Sequence, residues 1–234
     1  WSHSLLVGEM ARGIAELAEY PHPDEAYLSG LLHDIGELIL LSAIGDPYHR
    51  FLANSSENPK LQSEEFQLFG TTHADVGGWL IDHWGLDSVL ADGVAFHHTA
   101  ATEIVTATAL PQIVWIAQAL SVTPDNSPEL GMVVNRSNPK LEMSALLVVR
   151  ERAIQRARQI AEALGITIAD DFPNRRTAAP VAASSLPEPA SAADDDLATL
   201  VGGMALLQPL QQDLFHLGSD TEVLLALRES ARIL

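Results

Sequence analysis

Six side chains within the first hundred residues have types and spacing suited to metal chemistry: His3, the adjacent pair His33-Asp34, His73, and the adjacent pair His97-His98. Neutral imidazole and carboxylate are the ligands that suit Zn, Fe, Mn or Ni. A helical bundle in which each helix offers one or two such groups is a common way to build a metal site. Neighbours on a regular helix diverge by about 100°. Each adjacent pair can therefore face one ion only at the edge of a cluster, or where a helix ends. The competing account of every histidine is a hydrogen-bonded core or surface residue, and His97-His98 also suit a helix C-terminus, where the dipole favours them. His22, His49, His83 and His216 are read that way.

The elements that must position these groups are helices. An apolar pattern at helical spacing (Leu5, Leu6, Met10, Ile14, Leu17) opens the chain and stops at Pro21 and Pro23. Asp24-Glu25 suit a helix N-terminus, and the next pattern runs through Tyr27, Leu31, Ile35 and Leu38 to about Leu41. Residues 45–61 are rich in turn formers and are expected to be an irregular excursion. A short helix follows from Ser63 to Gly70, then one over 73–84 capped by Thr71 or Thr72 and ended by Gly85. Asp87-Ser88 starts another that reaches His97-His98, and residues 101–122 read as one helix bent at Pro111. Sustained period-two alternation is missing, so the expected class is all-α.

Residues 123–140 read as a Pro/Asn/Ser-rich connection, followed by a long helix over 141–164. Its arginine stripe (Arg150, Arg152, Arg156, Arg158) is read as a solvated face. The resulting division is a helical domain over 1–125, a helical extension over 126–172, a flexible linker over 173–193, and amphipathic connector helices over 194–234. The chain opens inside an apolar pattern without an initiator Met and closes on an unpartnered helix, which suggests a segment of something longer.

The 234 residues carry 13 Lys+Arg against 31 Asp+Glu, a formal charge of −18. Residues 1–125 hold 17 acids and 3 bases, net −14, and eight of the nine histidines lie in residues 1–98. That charge would repel a phosphate backbone and an anionic lipid surface, so nucleic acid and membrane are excluded as partners. There is no cysteine, hence no disulfide framework and no thiolate chemistry. No apolar run reaches the ~20 residues of a membrane span and no signal peptide opens the chain; a cytoplasmic protein is expected. Neither a phosphate-binding Gly-rich loop nor a Gly-x-Ser-x-Gly elbow is present.

Gly30-Leu31-Leu32-His33-Asp34-Ile35-Gly36 is similar to the GLLHDIG signature of the HD superfamily of metal-dependent phosphohydrolases and their signalling relatives. Flanking it are Trp1-Ser2-His3-Ser4, Thr72-His73-Ala74-Asp75-Val76-Gly77, Trp79-Leu80 through Trp84-Gly85-Leu86, and His97-His98. In this order and spacing they resemble one branch, the HDOD (HD-related output) domain. The resemblance spans residues 1 to about 122 and corresponds to the C-terminal half of that domain. More weakly, residues 194–234 look like the connector and opening helix of a GAF-type sensor module.

The resemblance implies an all-α, HD-domain-like bundle with a long helical C-terminal extension. His3 falls where HD enzymes place their first histidine ligand, and His33 with Asp34 match the HD pair. Asp34 would bridge two metals and would be the catalytic position if the chain is an enzyme. His73, His97 and His98 match the further histidines of a second metal. The cofactor implied is a divalent ion (Fe, Mn, Zn or Ni).

Three positions depart from the pattern. Ile116-Ala117-Gln118 stands where the family has V-A-D, Glu37 where a lysine commonly follows HDIG, and Thr99-Ala100-Ala101-Thr102-Glu103 where cyclic-dinucleotide diesterases carry GYP. A neutral amide weakens the first-metal set (His3, His33, Asp34, Gln118) and leaves the second (Asp34, His73, His97, His98) complete. Glu37 puts a negative charge where a phosphate would want a positive one. The expected function is a bacterial signal-transduction output module working by protein–protein contact, its HD site degenerate. Its partners would be a signalling protein, a downstream sensor or kinase module, or a second copy in a homodimer. The alternative is a metal-dependent phosphohydrolase (phosphodiesterase or phosphatase).

Overall fold

A computed structural model describes residues 2–55, 61–122, 127–138 and 140–165. The expected linker over 173–193 and connector over 194–234 lie outside the described residues. Every regular element among the described residues is a helix, in the order α1 (Ser2–Leu17), α2 (Pro23–Leu32), α3 (Ile35–Ile44), α4 (Asp46–Ser55), α5 (Leu61–Phe69), α6 (His73–His83), α7 (Ser88–Ala95), α8 (Ala101–Ile104), α9 (Ala109–Val122), α10 (Pro128–Ser137) and α11 (Met143–Ala163).

The centre of the bundle is α1, apolar on most of its circumference. It packs on α2, α9 and α11, while α6 bridges α3 and α7, and α7 rests on α9. Leu5, Leu6, Met10 and Ile14 of α1 share one core with Leu110, Ile116 and Leu120 of α9. Leu130, Val133 and Val134 of α10 and Leu146, Ala153, Ile154, Ala157 and Ala161 of α11 add to the same core. The opposite side of α11 exposes Arg152, Arg156 and Arg158 to solvent. A small second core of Leu40, Tyr48, Phe51 and Leu61 lies under α3, α4 and α5.

Four local readings are corrected. The single helix expected over residues 24–41 is two, separated at His33-Asp34. Residues 46–55 form α4 rather than an irregular excursion. Asp46 and Pro47 suit a helix start, and Tyr48, Phe51 and Leu52 fall at i, i+3 and i+4, where they bury together. The turn formers mark the ends of α4, not its interior. Residues 101–122 break at 105–108, away from Pro111, which occupies the first turn of α9, where its missing donor costs nothing. The Gln112 amide closes that break by donating to Val105 O (3.1 Å) and Ala107 O (2.9 Å). The expected 123–140 connection contains α10, whose N-cap Ser127 accepts from the Leu130 N–H.

Pro23–Ile44, taken together, is long and apolar enough to cross a membrane by length and composition, with 61% of its apolar window buried. Its acidic residues interrupt the run in the sequence. The break at His33-Asp34 and the packing of both halves into the bundle account for its apolarity as core.

Thr72 caps α6 twice over: its Oγ1 accepts from the Asp75 N–H (3.1 Å) and donates to Asp75 Oδ2 (2.7 Å). Thr72→Ala is expected to cost about 1 kcal/mol, the usual worth of an N-cap, read as a lowered midpoint in urea denaturation.

Candidate metal centre

Each candidate ligand stands at or just beyond a helix end. His3 is the second residue of α1, His33-Asp34 forms the turn between α2 and α3, His73 opens α6, and His97-His98 follow α7. This placement resolves the divergence of adjacent ligands. Asp34 leaves the helical path (φ −97°, ψ 13°), so its carboxylate and the His33 ring face the same interior point. The Thr99 carbonyl accepts from Trp115 Nε1 (2.8 Å), tying the His97-His98 turn to α9.

Close backbone packing brings the turns together. Gly36 of α3 lies against α6 so tightly that a Cβ would land on the His73 carbonyl oxygen, 2.9 Å from Gly77 N. Gly30 of α2 lies likewise against α1, where a Cβ would meet Val7 O at 2.9 Å.

Two groups of ligand atoms result, each lying within 4.8 Å of one another: Asp34, His73, His97 and His98, and His3, His33 and Asp34. The Asp34 carboxylate lies between them. Its Oδ1 is 3.5 Å from His97 Nε2 and 3.8 Å from His73 Nε2, and its Oδ2 is 3.1 Å from His33 Nε2 and 3.8 Å from His3 Nε2.

Hydrogen bonds at the far side of three rings decide what faces inward. His33 Nδ1 lies 2.7 Å from Gly30 O, His97 Nδ1 2.5 Å from Val94 O, and His73 Nδ1 2.8 Å from Glu65 Oε2. All three partners are acceptors, so each Nδ1 carries the proton and each Nε2 turns toward Asp34. The His73 and His97 Nε2 atoms are only 3.3 Å apart, and His33 Nε2 is buried with no hydrogen-bond partner. Converging lone pairs on a carboxylate need a positive charge among them, either a proton or a metal ion. The residues fit a divalent cation with nitrogen and oxygen ligands.

Without an ion, the proton falls to His73. Burial opposes the charged ring, but the hydrogen bond to Glu65 and the charges of Asp34, Glu65 and Glu37 outweigh it and raise its pKa. Burial also opposes the Glu65 carboxylate, and the His73 contacts with the Tyr48 hydrogen bond pull its pKa down. His97 goes the other way. Burial, assisted by His33 and His73, outweighs the bond to Asp34 and lowers its pKa to about 4. Below that raised pKa a metal would have to displace the His73 proton. Apparent affinity is therefore expected to fall roughly tenfold per pH unit below the raised His73 pKa. Calorimetric titration at pH 8 and pH 6, in buffers of different ionisation enthalpy, reads both the affinity loss and the released proton.

The two groups are not equivalent. His3 Nε2 lies 2.9 Å from Gln118 Oε1, so the ring nitrogen that would coordinate donates its hydrogen to the amide oxygen. The departure at position 118 leaves the His3 side with a neutral amide where a carboxylate would add charge to hold a cation. The Asp34, His73, His97 and His98 side keeps its carboxylate. Glu37, half-buried in the first turn of α3, adds to the negative field at His73 and Tyr48.

Of the other histidines, His83 stacks on exposed Trp79 (5.0 Å, 11°) and His22 lies edge-on to Tyr20, both outside the centre; His216 is outside the described residues. One residue at the centre went unread in the sequence. Glu65, fully buried, accepts from Tyr48 OH (2.6 Å), the His73 N–H (3.0 Å) and His73 Nδ1. In the sequence it is the second of two adjacent acids, and only its period with Leu61, both on the buried face, distinguishes it from Glu64.

Residues 1–100 match the sequence model of the HDOD domain family. The fold is similar to that of an HDOD domain protein of unknown function from Geobacter sulfurreducens. That likeness has a TM-score of 0.56 and 25% identity, over 70% of this chain and 61% of that one. It is similar also to a structure from Shewanella amazonensis SB2B described as "Putative phosphohydrolase", with a TM-score of 0.53 and 20% identity over 68% of this chain and 62% of that one, a likeness of fold. The chain thus spans about three fifths of the length of these two structures. No curated protein sequence matches it.

Proposed function

We propose, from the premise that the chain carries an HDOD domain over residues 1–100, that it is a bacterial signal-transduction output module. It works by protein–protein contact and holds one divalent ion on Asp34, His73, His97 and His98. The observation that carries this reading is the neutral Gln118 amide hydrogen-bonded to His3, which leaves that half of the HD centre short of a carboxylate. Two-ion phosphoryl chemistry needs both halves, so that attacking and leaving oxygens are each stabilised. Glu37 adds repulsion where an anionic substrate would approach, and the −14 charge of residues 1–125 extends that field over the surface. Apolar side chains available to a partner include Phe66 and Leu68 on α5 and Trp79 on α6. Elemental analysis should find one equivalent of a first-row divalent ion per chain, and a phosphatase and phosphodiesterase screen should find no turnover. Robust hydrolysis abolished by Asp34→Ala overturns the reading.

That outcome would favour a metal-dependent phosphohydrolase, for which the complete Asp34, His73, His97 and His98 set speaks. A divalent ion held there would supply Lewis acidity toward a phosphoryl or water oxygen. Asp34 would anchor the ion by charge, and the three histidines would orient it. The binding site for a phosphate would then have to be neutral or positive despite Glu37.

A further inference from the structure

Glu65 has no part in the ligand set, yet it is the most deeply buried carboxylate among the described residues, with no exposed surface. Burying an ionised carboxylate is costly unless donors replace its water. Three do here: Tyr48 OH on one oxygen, and the His73 N–H and His73 Nδ1 on the other. Two of the three come from a single metal-facing residue. The small core under α3, α4 and α5 is otherwise built of Leu40, Tyr48, Phe51 and Leu61, so apolar packing alone does not call for a carboxylate at position 65.

The contrast with the other rings is informative. His33 and His97 give their Nδ1 protons to backbone carbonyls, whereas His73 gives its proton to a carboxylate. A charged acceptor pulls harder on that proton and leaves more electron density on the opposite nitrogen. We propose that Glu65 is a positioning residue for His73: it fixes the ring as the Nδ1–H tautomer, turns Nε2 toward Asp34, and makes His73 the strongest nitrogen donor of the centre, with Tyr48 holding the carboxylate in place. This rests on the reading of the centre as a divalent-metal site. It extends that site to α4 and α5, which carry no ligand.

The test uses Co²⁺ titration of the full chain, followed by calorimetry and by cobalt absorption, with nitrogen NMR of the metal-free protein at pH 9. Glu65→Gln keeps an acceptor but loses the charge, and is expected to weaken Co²⁺ binding about tenfold. Glu65→Leu loses both, and is expected to weaken it about 100-fold; these bracket the usual effect of removing such a partner. In Glu65→Leu the His73 ring also loses its fixed Nδ1–H form. Tyr48→Phe, which leaves the carboxylate in place with one fewer donor, should fall between wild type and Glu65→Gln. Asn138→Ala breaks a hydrogen bond to Ala18 O far from the centre, and should bind Co²⁺ as wild type does even if it melts lower. Glu65→Gln binding Co²⁺ within twofold of wild type, or Glu65→Leu retaining the Nδ1–H tautomer, overturns the assignment. If wild type binds no Co²⁺, the metal reading itself fails, and the His73 nitrogen spectrum alone then decides whether Glu65 sets the tautomer.

Discussion

Asp34→Asn is expected to lower divalent-metal affinity on the order of 1,000-fold and to leave the metal-free fold at least as stable as wild type. The two halves of this result have one cause. Asp34 is the carboxylate common to both ligand groups, and removing one charged member of a buried pair costs about 3–5 kcal/mol, which at about 1.4 kcal/mol per factor of ten is two to nearly four decades of affinity. In the metal-free protein above the raised His73 pKa, where no proton on His73 is left for Asp34 to offset, the balance reverses. Asp34 Oδ2 sits 3.1 Å from His33 Nε2, whose other nitrogen already donates to Gly30 O. Two acceptors face each other there. An asparagine amide of the same shape can donate across that gap. Thermal unfolding with and without metal separates the effects: the metal-dependent rise in melting temperature should vanish in Asp34→Asn, while the metal-free value stays level or climbs. A large drop in the metal-free value would mean that Asp34 is a structural residue, and the centre would lose its strongest claim to be a binding site.

Gly36→Ala should be the most damaging single-methyl change in the described chain. Its Cβ would land on the His73 carbonyl oxygen, 2.7 Å from the His73 carbonyl carbon and 2.9 Å from Gly77 N. These are backbone atoms of a packed helix and cannot rotate away, unlike the Val94 side chain that a Cβ at Gly77 would meet. Relief requires α3 to move off α6. Overpacking of cores costs about 1–3 kcal/mol and occasionally more, and the rigid neighbours put this site at the upper end. Against a total stability of roughly 5–15 kcal/mol, a loss near 3 kcal/mol is large, and urea denaturation would show it as a lower midpoint. Metal affinity should fall with it, by at least tenfold, since Asp34 is two residues away and its distances to His73 and His97 depend on that contact. Unchanged stability would mean that the α3–α6 contact is looser than its geometry states.

The two predictions mark what could be read from the residues and what could not. The helical class, the caps at Thr72 and Asp87, and the helix ends at Gly70 and Gly85 were legible because each rests on local chemistry within four or five residues. The six candidate ligands were legible as types in order. Their convergence depends on the resemblance, since nothing local states that α1, α3, α6 and the turn after α7 meet. The break at His33-Asp34 was foreseen only as a condition, that adjacent ligands must leave the helix to share an ion. Its location was hidden because Leu31, Ile35 and Leu38 continue the apolar period across it. Helices α4 and α10 were missed for the opposite reason: prolines and asparagines at their ends outweighed apolar patterns only ten residues long. Glu65 had no local signal beyond its face. A buried carboxylate is recognisable only through its donors, and Tyr48 and His73 stand 17 and 8 residues away.

The contact at Gly36 has a consequence for which ions the centre can prefer. Where ligand spacing is set by side chains in a soft core, a site can dilate or contract to suit its guest. Here the gap between Asp34 and His73 is set by one main chain resting on another, with no methyl group between them to yield. Such a host would discriminate by ionic radius. Ca²⁺, which takes six to eight oxygen ligands at about 2.3–2.6 Å in adaptable geometry, finds neither the ligand number nor the freedom. An ion held as proposed would then have to be a small one, and the glycine that looks like a packing detail would also act as a size filter.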